Sequence, residues 1–206
     1  MANQVRRSVL NTLFLEGTLL LAVILVPLKL ALQGLRWSEA GMLVLMFVLI
    51  GLSVTIGYHR LLSHRAFQAA WPLRLAILVF GAAAFENSAL WWCSDHRQHH
   101  RFVDDPTRDP YAISRGFWYA HWLWVMEGEV RSMEGVEDLQ KDPLVRWQHR
   151  YHFWIGAVVA LIPVYVGLAT GNVWGQATMG LLLRIVLTHH STFLINSAAH
   201  AWGSQP

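Results

Sequence analysis

Trp71-Pro-Leu-Arg-Leu-Ala-Ile-Leu-Val-Phe-Gly-Ala-Ala-Ala-Phe-Glu-Asn-Ser-Ala-Leu-Trp-Trp92 is the stretch on which the topology turns. By hydropathy alone it could cross a bilayer, which needs about 20 predominantly apolar residues. It opens on Trp-Pro, carries Arg74 near its start, and holds Glu86 and Asn87 toward its end. Before it stands His59-Arg-Leu-Leu-Ser-His64, and after it His96-Arg-Gln-His99-His100. A crossing would put these two histidine groups on opposite faces of a membrane. A helix lying along the interface, or re-entering, leaves them on one face, where they could share a site. The reading adopted is an interfacial helix over about residues 71–92.

Outward from this segment, four apolar runs are long enough to span. They cover about residues 9–32, 40–60, 153–169 and 175–200. Ala40 to Tyr58 has no charged residue over 19 positions. After Phe153 no charge appears until Arg184, and Gly167 to Gly175 reads as a turn splitting that run into a hairpin. The first run follows Arg6 and Arg7 but exceeds the ~7–15 residues of a signal h-region, so it reads as a membrane helix. Basic residues concentrate between Arg60 and Arg150, which places both termini and a cap over about residues 61–150 on the cytoplasmic side. Lys29 and Arg36, near the first outer turn, run against that assignment.

Composition agrees with a single membrane domain. Of 206 residues 54% are hydrophobic, only 14% are charged, and 11 are Trp, whereas a soluble domain carries about 25% charge. The net charge of +3 is taken as loop arginines and not as a nucleic-acid footprint. One cysteine, Cys93, excludes an intrachain disulfide and reads as a small buried residue. The fold class expected is an all-α integral membrane protein, with four transmembrane helices and a histidine-rich helical cap.

Imidazole is a common ligand for iron, copper, nickel and zinc. His96, His99 and His100 are spaced i, i+3, i+4 and share one helix face, as do Asn196 and His200 at i, i+4. His59 and His64 are five apart, about 140° around an α-helix; they could ligate different ions, or His64 could lie beyond the helix end. Three such groups, each at the end of an apolar run, point to a metal site at the face of a bilayer. They do not line a path across it, which disfavours a metal transporter. Asp95, Asp104, Asp105 and Asp109 are placed to accept from the second nitrogen of a ligating imidazole.

The stretches Gly57-Tyr58-His-Arg-Leu-Leu-Ser-His64-Arg-Ala-Phe67, Asp95-His-Arg-Gln-His-His100-Arg-Phe, Asp109-Pro-Tyr with Arg115-Gly-Phe-Trp, and Asn196-Ser-Ala-Ala-His200 resemble the membrane fatty-acid desaturases. The similarity is greatest to the Δ9 acyl desaturase branch, which includes stearoyl-CoA desaturase. The resemblance implies two non-haem iron ions, O₂ as co-substrate, and insertion of a cis double bond into a long-chain acyl group. It implies His59, His64, His96, His99, His100 and His200 as iron ligands, with Asn196 reaching iron through water. It implies that Trp92, Thr192 and Phe193 line the bend of an acyl tunnel, with Asn87 and Arg97 near the substrate head. Arg97 could equally pair with Asp104, Asp105 or Asp109.

The partners implied are an acyl-CoA or acyl-lipid in a bilayer, and an electron donor such as cytochrome b5 or ferredoxin with its reductase. A donor must be external because the sequence holds no haem or iron–sulfur motif. The family pattern also carries a third box, HxxHH, after the Asn196–His200 segment, and this sequence stops at Pro206 without one. The expectation is therefore a chain that lacks three ligands and does not turn over alone. A related hydroxylase, or an accessory metal-binding membrane protein, stays open as an alternative.

Among the other histidines, His121 reads as a structural hydrogen-bonding or site-shaping residue, and His189 and His190 as cavity or packing residues. His149 and His152 read as interfacial. The acidic run from Glu127 to Asp142, with Glu129, Glu134, Glu137 and Asp138, reads as a solvated loop.

Overall fold

The computed structural model describes residues 8–127 and 133–202. Arg6, Arg7, Glu129 and the terminal Gly203-Ser-Gln-Pro206 lie outside the described residues. The described residues form helices and no strand. Four helices are long and apolar enough to cross a membrane: α1 (Val9–Gln33), α2 (Trp37–Ser63), α5 (Pro143–Thr170) and α6 (Val173–Ala201). Between α2 and α5 lie α3 (Trp71–Ala82), α4 (Ala89–Arg101) and a series of short turns and helices.

Local chemistry sets these boundaries. Ser8 caps α1 by accepting from the Asn11 amide at 3.3 Å, and Gly34, at φ 66°, ends it by donating its N–H to the Leu30 carbonyl. Asp142 accepts from the amides of Leu144 and Val145 at the start of α5, with Pro143 in the first turn, where its missing N–H costs nothing. α5 thus begins ten residues before the apolar run read from the sequence. The added turns carry Arg146, His149 and Arg150, so hydropathy alone passes over them.

The expected single helix over residues 71–92 is two helices. α3 has 12 residues, about 18 Å, well short of the ~30 Å hydrocarbon layer. The chain then breaks at Ala83–Ser88. Phe85 and Asn87 take positive φ of 56° and 77°, and Ser88 caps α4 by accepting from the Trp91 amide. Asn tolerates the left-handed region and Phe does not, so surrounding packing holds this turn. α3 seats closely against its neighbours. A Cβ at Gly57 would fall 2.2 Å from the Ile77 side chain, and one at Gly156 would fall 2.5 Å from the Ala82 carbonyl oxygen. The first two histidine boxes consequently emerge at the same end of the bundle.

At the other end, Lys29 is no free loop cation. It is fully buried, ion-paired with Glu39, and donates to the Gly34 carbonyl at 2.7 Å. Glu39 also accepts from the Arg36 amide at 3.1 Å and from Asn172 Nδ2 at 2.9 Å. This network ties the α1–α2 turn to the α5–α6 turn.

The acidic run is a correction too. Val136 and Leu139, at 0% and 6% exposure, join the core formed by Tyr58, Leu61, Leu62 and Leu90. Asp138 takes both Arg65 and Arg97, and Asp142 pairs with Arg74. Charge along the segment hid two apolar residues placed to dock it.

Candidate metal centre

The end of α2 resolves the awkward spacing of its two histidines. Ser53–Ser63 is π-helical, with the His64 amide bonded to the His59 carbonyl, five residues back, at 3.0 Å. Bonds from i to i+5 widen each turn, so residues five apart nearly eclipse instead of diverging by about 140°. The rings of His59 and His64 lie 4.6 Å apart. On α4 the spacing of ordinary helix brings His96 and His100 together, rings 4.5 Å apart.

The two pairs meet. His59, His64, His96 and His100 each offer a nitrogen, and the four nitrogens lie within 4.8 Å of one another. His64 Nε2 and His96 Nε2 are 3.0 Å apart. Metal–imidazole bonds of about 2.0–2.1 Å put ligands on opposite sides of an ion about 4 Å apart, so this donor set fits one cation. Burial, helped by the neighbouring His100, His59, His64 and His99, pushes the His96 pKa down to about 2. The His100 pKa is likewise lowered by burial and then by His64. Both rings are held neutral, which is the ligating form.

His99 and His200 adjoin this cluster, with ring centroids 5.0 Å apart. Each Nδ1 faces a carboxylate: His99 donates to Asp109 at 2.8 Å, and His200 to Asp104 at 3.3 Å. That bond fixes the tautomer and leaves Nε2 with its lone pair for a metal. Asp109 is 3% exposed and is itself held by the amides of Asp104 and Tyr111. Asp105 instead bonds Thr107 and Arg108, in a surface turn.

Arg97 goes elsewhere than expected. Its guanidinium donates to Asp138, to the carbonyls of Leu62 and Ser63, and to that of Gly135. It braces the end of α2 against the 133–142 segment and is not in the cavity wall. None of Asp104, Asp105 and Asp109 is its partner; it reaches Asp138, an acidic residue about forty positions downstream.

Beside the histidines lies a cavity of about 720 Å³, within the usual range of small-molecule sites. Leu10, Phe14 and Leu15 of α1 and Phe153 of α5 give it apolar walls. His59, His96 and Asn196 reach it from the metal side, and Asn87, Trp92, Thr192 and Phe193 line it as well. His64, His99, His100 and His200 stand behind that wall and are not among the lining residues. Trp92 stacks on His96 with centroids 4.9 Å apart and planes at 24°, so indole and imidazole form one stretch of the cavity wall.

Sequence reasoning missed the residue that joins these parts. Glu86 lines the cavity and accepts from Trp92 Nε1 at 3.1 Å and from Thr192 Oγ1 at 2.8 Å. A carboxylate within an apolar run was the available signal. His149 and His152, read as interfacial, also have inward contacts: His149 Nδ1 lies 2.7 Å from the buried Ser88 hydroxyl, and His152 lines the cavity. His121 bonds Ser197 at 2.9 Å and His190 at 3.0 Å, both on α6, while buried His189 lines the cavity.

A family model described as fatty acid desaturase matches residues 35–206. The chain belongs to the fatty acid desaturase family. It is 44% identical over 163 residues to a probable acyl-CoA desaturase of Schizosaccharomyces pombe, covering 76% of this chain and 33% of that protein. It is 39% identical to acyl-CoA desaturase 1 of Saccharomyces cerevisiae, covering 76% of this chain and 31% of the yeast protein. With an sn-2 palmitoyl-lipid 9-desaturase of a Nostoc strain the identity is 36%, over 81% of this chain and 59% of the relative. The chain thus spans a third to three fifths of the length of these desaturases.

Proposed function

We propose that this desaturase-family chain serves the O₂-dependent introduction of a cis double bond, at Δ9, into a long-chain acyl group held as acyl-CoA or acyl-lipid. The observation that carries this reading is the convergence of four imidazole nitrogens beside an apolar cavity. His59, His64, His96 and His100 would hold one iron; His99 and His200, with Asn196 through water, would contribute to a second. Iron there supplies reductive activation of O₂ and the oxidising power to take hydrogens from an unactivated methylene, which no side chain has.

The residues of the chain do the positioning. Asp109 and Asp104 orient the imidazoles of His99 and His200. Trp92 and Phe193, with Phe14 and Phe153 opposite, would confine an acyl chain and exclude water, holding one carbon beside the metal side of the cavity. Asn87 lies in the same wall. Arg97, committed to backbone carbonyls and Asp138, is proposed as a brace and not as a substrate contact. Electrons would come from an external donor such as cytochrome b5 or ferredoxin with its reductase. The arginine-rich 60–150 stretch, and the burial of Lys29 in an ion pair, favour a cytoplasmic cap and termini.

The test is to express the chain, alone and continued in frame through an HxxHH box, in membranes of a host without its own acyl desaturase. Deuterated stearoyl-CoA and a reducing system are added, and double-bond position is read by mass spectrometry. The expected product is the cis-Δ9 acyl chain from the continued form. A hydroxylated product, or none from iron-loaded membranes of either form, would overturn the reading.

A further inference from the structure

Glu86 is presented by the turn between α3 and α4, and its carboxyl joins two helices across the cavity wall. Oε2 accepts from Trp92 on α4, and Oε1 from Thr192 on α6. Among the described residues no cation stands within ion-pair distance of it. The Thr192 hydroxyl also lies 3.3 Å from the Thr188 carbonyl oxygen, a second acceptor for its hydrogen. Two hydrogen-bond patterns therefore fit one geometry. With Glu86 ionised, Trp92 and Thr192 both donate to it. With Glu86 protonated, Oε1–H donates to Thr192 Oγ1, Thr192 turns its hydrogen to Thr188, and Oε2 still accepts from Trp92. Neither state leaves a polar atom without a partner.

We propose that Glu86 takes up a proton from solvent as an acyl chain enters the cavity, so that substrate binding is linked to protonation of the carboxyl bridging Trp92 and Thr192. This rests on the acyl-cavity reading above. Methylenes filling the cavity displace the water that shares its wall with Glu86. Removing that water penalises the carboxylate and leaves the neutral acid nearly unaffected. Before any chain enters, burial already pushes the Glu86 pKa up to about 7, against the lowering effect of Thr192 and Trp92. The linkage therefore falls near neutral pH. Below pH 7 the acid is already neutral and binding needs no proton; above it, each bound chain costs one, and affinity falls as pH rises.

Other groups facing this turn also titrate or carry charge. Tyr58 and His59 come from α2, Asp95 and His96 from α4, and His152 from α5. His189 and Arg184 come from α6, with Arg184 donating to the Ala83 carbonyl at the start of the turn, and Glu127 lines the cavity from the segment after Trp124. Glu86→Gln leaves all of these in place. Its amide can donate to Thr192 and accept from Trp92, reproducing the protonated pattern.

The experiment titrates stearoyl-CoA into the full chain in nanodiscs of zwitterionic lipid, wild type and E86Q, from pH 6 to pH 8. Buffers of different ionisation enthalpy count the protons taken up. Wild-type affinity should fall about tenfold across that range, and E86Q should hold the wild-type value of pH 6 throughout. Titration of the coenzyme itself appears equally in both. The same pH slope in both proteins overturns the linkage and leaves the acyl-cavity reading standing. Absence of stearoyl-CoA binding by either protein at any pH overturns that reading, and the linkage with it. Should E86Q fail to fold, the wild-type proton count decides: about one proton per bound chain at pH 8 and few at pH 6 supports the linkage, and equal counts overturn it.

Discussion

At one end of α2, Glu39 accepts from Lys29, Asn172 and the Arg36 amide; at the other, His59 and His64 turn ring nitrogens toward those of His96 and His100. Both groups are polar clusters in a chain that is mostly apolar, and both join distant segments. The first closes on itself: opposite charges pair, and the Asn172 side chain and backbone groups take up the remaining hydrogen bonds. The second sets four imidazole nitrogens within 4.8 Å of one another, with no carboxylate in that set to pair them. A cluster that satisfies itself explains a fold. A cluster of imidazole nitrogens that converges on a point explains a fold only together with what that point can hold. The difference separates a structural lock from a site inside one helix bundle.

The comparison can be broken at the lock. Lys29→Met leaves Glu39 buried without its cation, at a cost of about 3–5 kcal/mol. Replacing both, as Lys29→Met with Glu39→Gln, should recover most of that loss. Unfolding in mixed micelles with rising SDS reads the stability. Metal content per folded chain should stay at the wild-type value in both variants. If Lys29→Met depleted metal without loss of stability, the two clusters would not be the separate entities described here.

A smaller effect sharpens the site end. Asp109→Asn keeps the shape but weakens the acceptor that orients His99, and should lower metal affinity about 10–100-fold, or ~1.4–2.7 kcal/mol. Equilibrium titration of the apo chain with ferrous iron under anaerobic conditions measures it. Affinity equal to wild type would mean that His99 is not oriented through Asp109 for metal binding.

How much of this was legible in the sequence depends on the range of the interaction. Uninterrupted runs such as Ala40–Tyr58 announce a membrane helix because hydropathy is local. The i, i+3, i+4 spacing of the second histidine box announces a shared face for the same reason. His59 and His64 were not legible as a pair, because periodicity assumes α-helix and the chain is π-helical there. Nor were the partners of His200 and Arg97, since Asp104 and Asp138 come from segments brought near only by the tertiary fold. Val136 and Leu139 were lost in acidic surroundings, and Glu86 was noted only as a charge within an apolar segment when it is also a bridge in the cavity wall. Lys29 was counted with Arg36 as basic charge near the outer turn because its pairing with Glu39 depends on the turn between two helices.

The most direct measurement is the iron retained by the purified full chain after gel filtration against a chelator, compared between wild type and the double variant His64→Ala, His96→Ala. Far-ultraviolet circular dichroism confirms that both are equally folded. The wild type should keep its iron, and the double variant less than about a tenth of it, because two of the four converging nitrogens are gone. Equal iron in the two proteins would contradict the assignment of His59, His64, His96 and His100 as a metal centre.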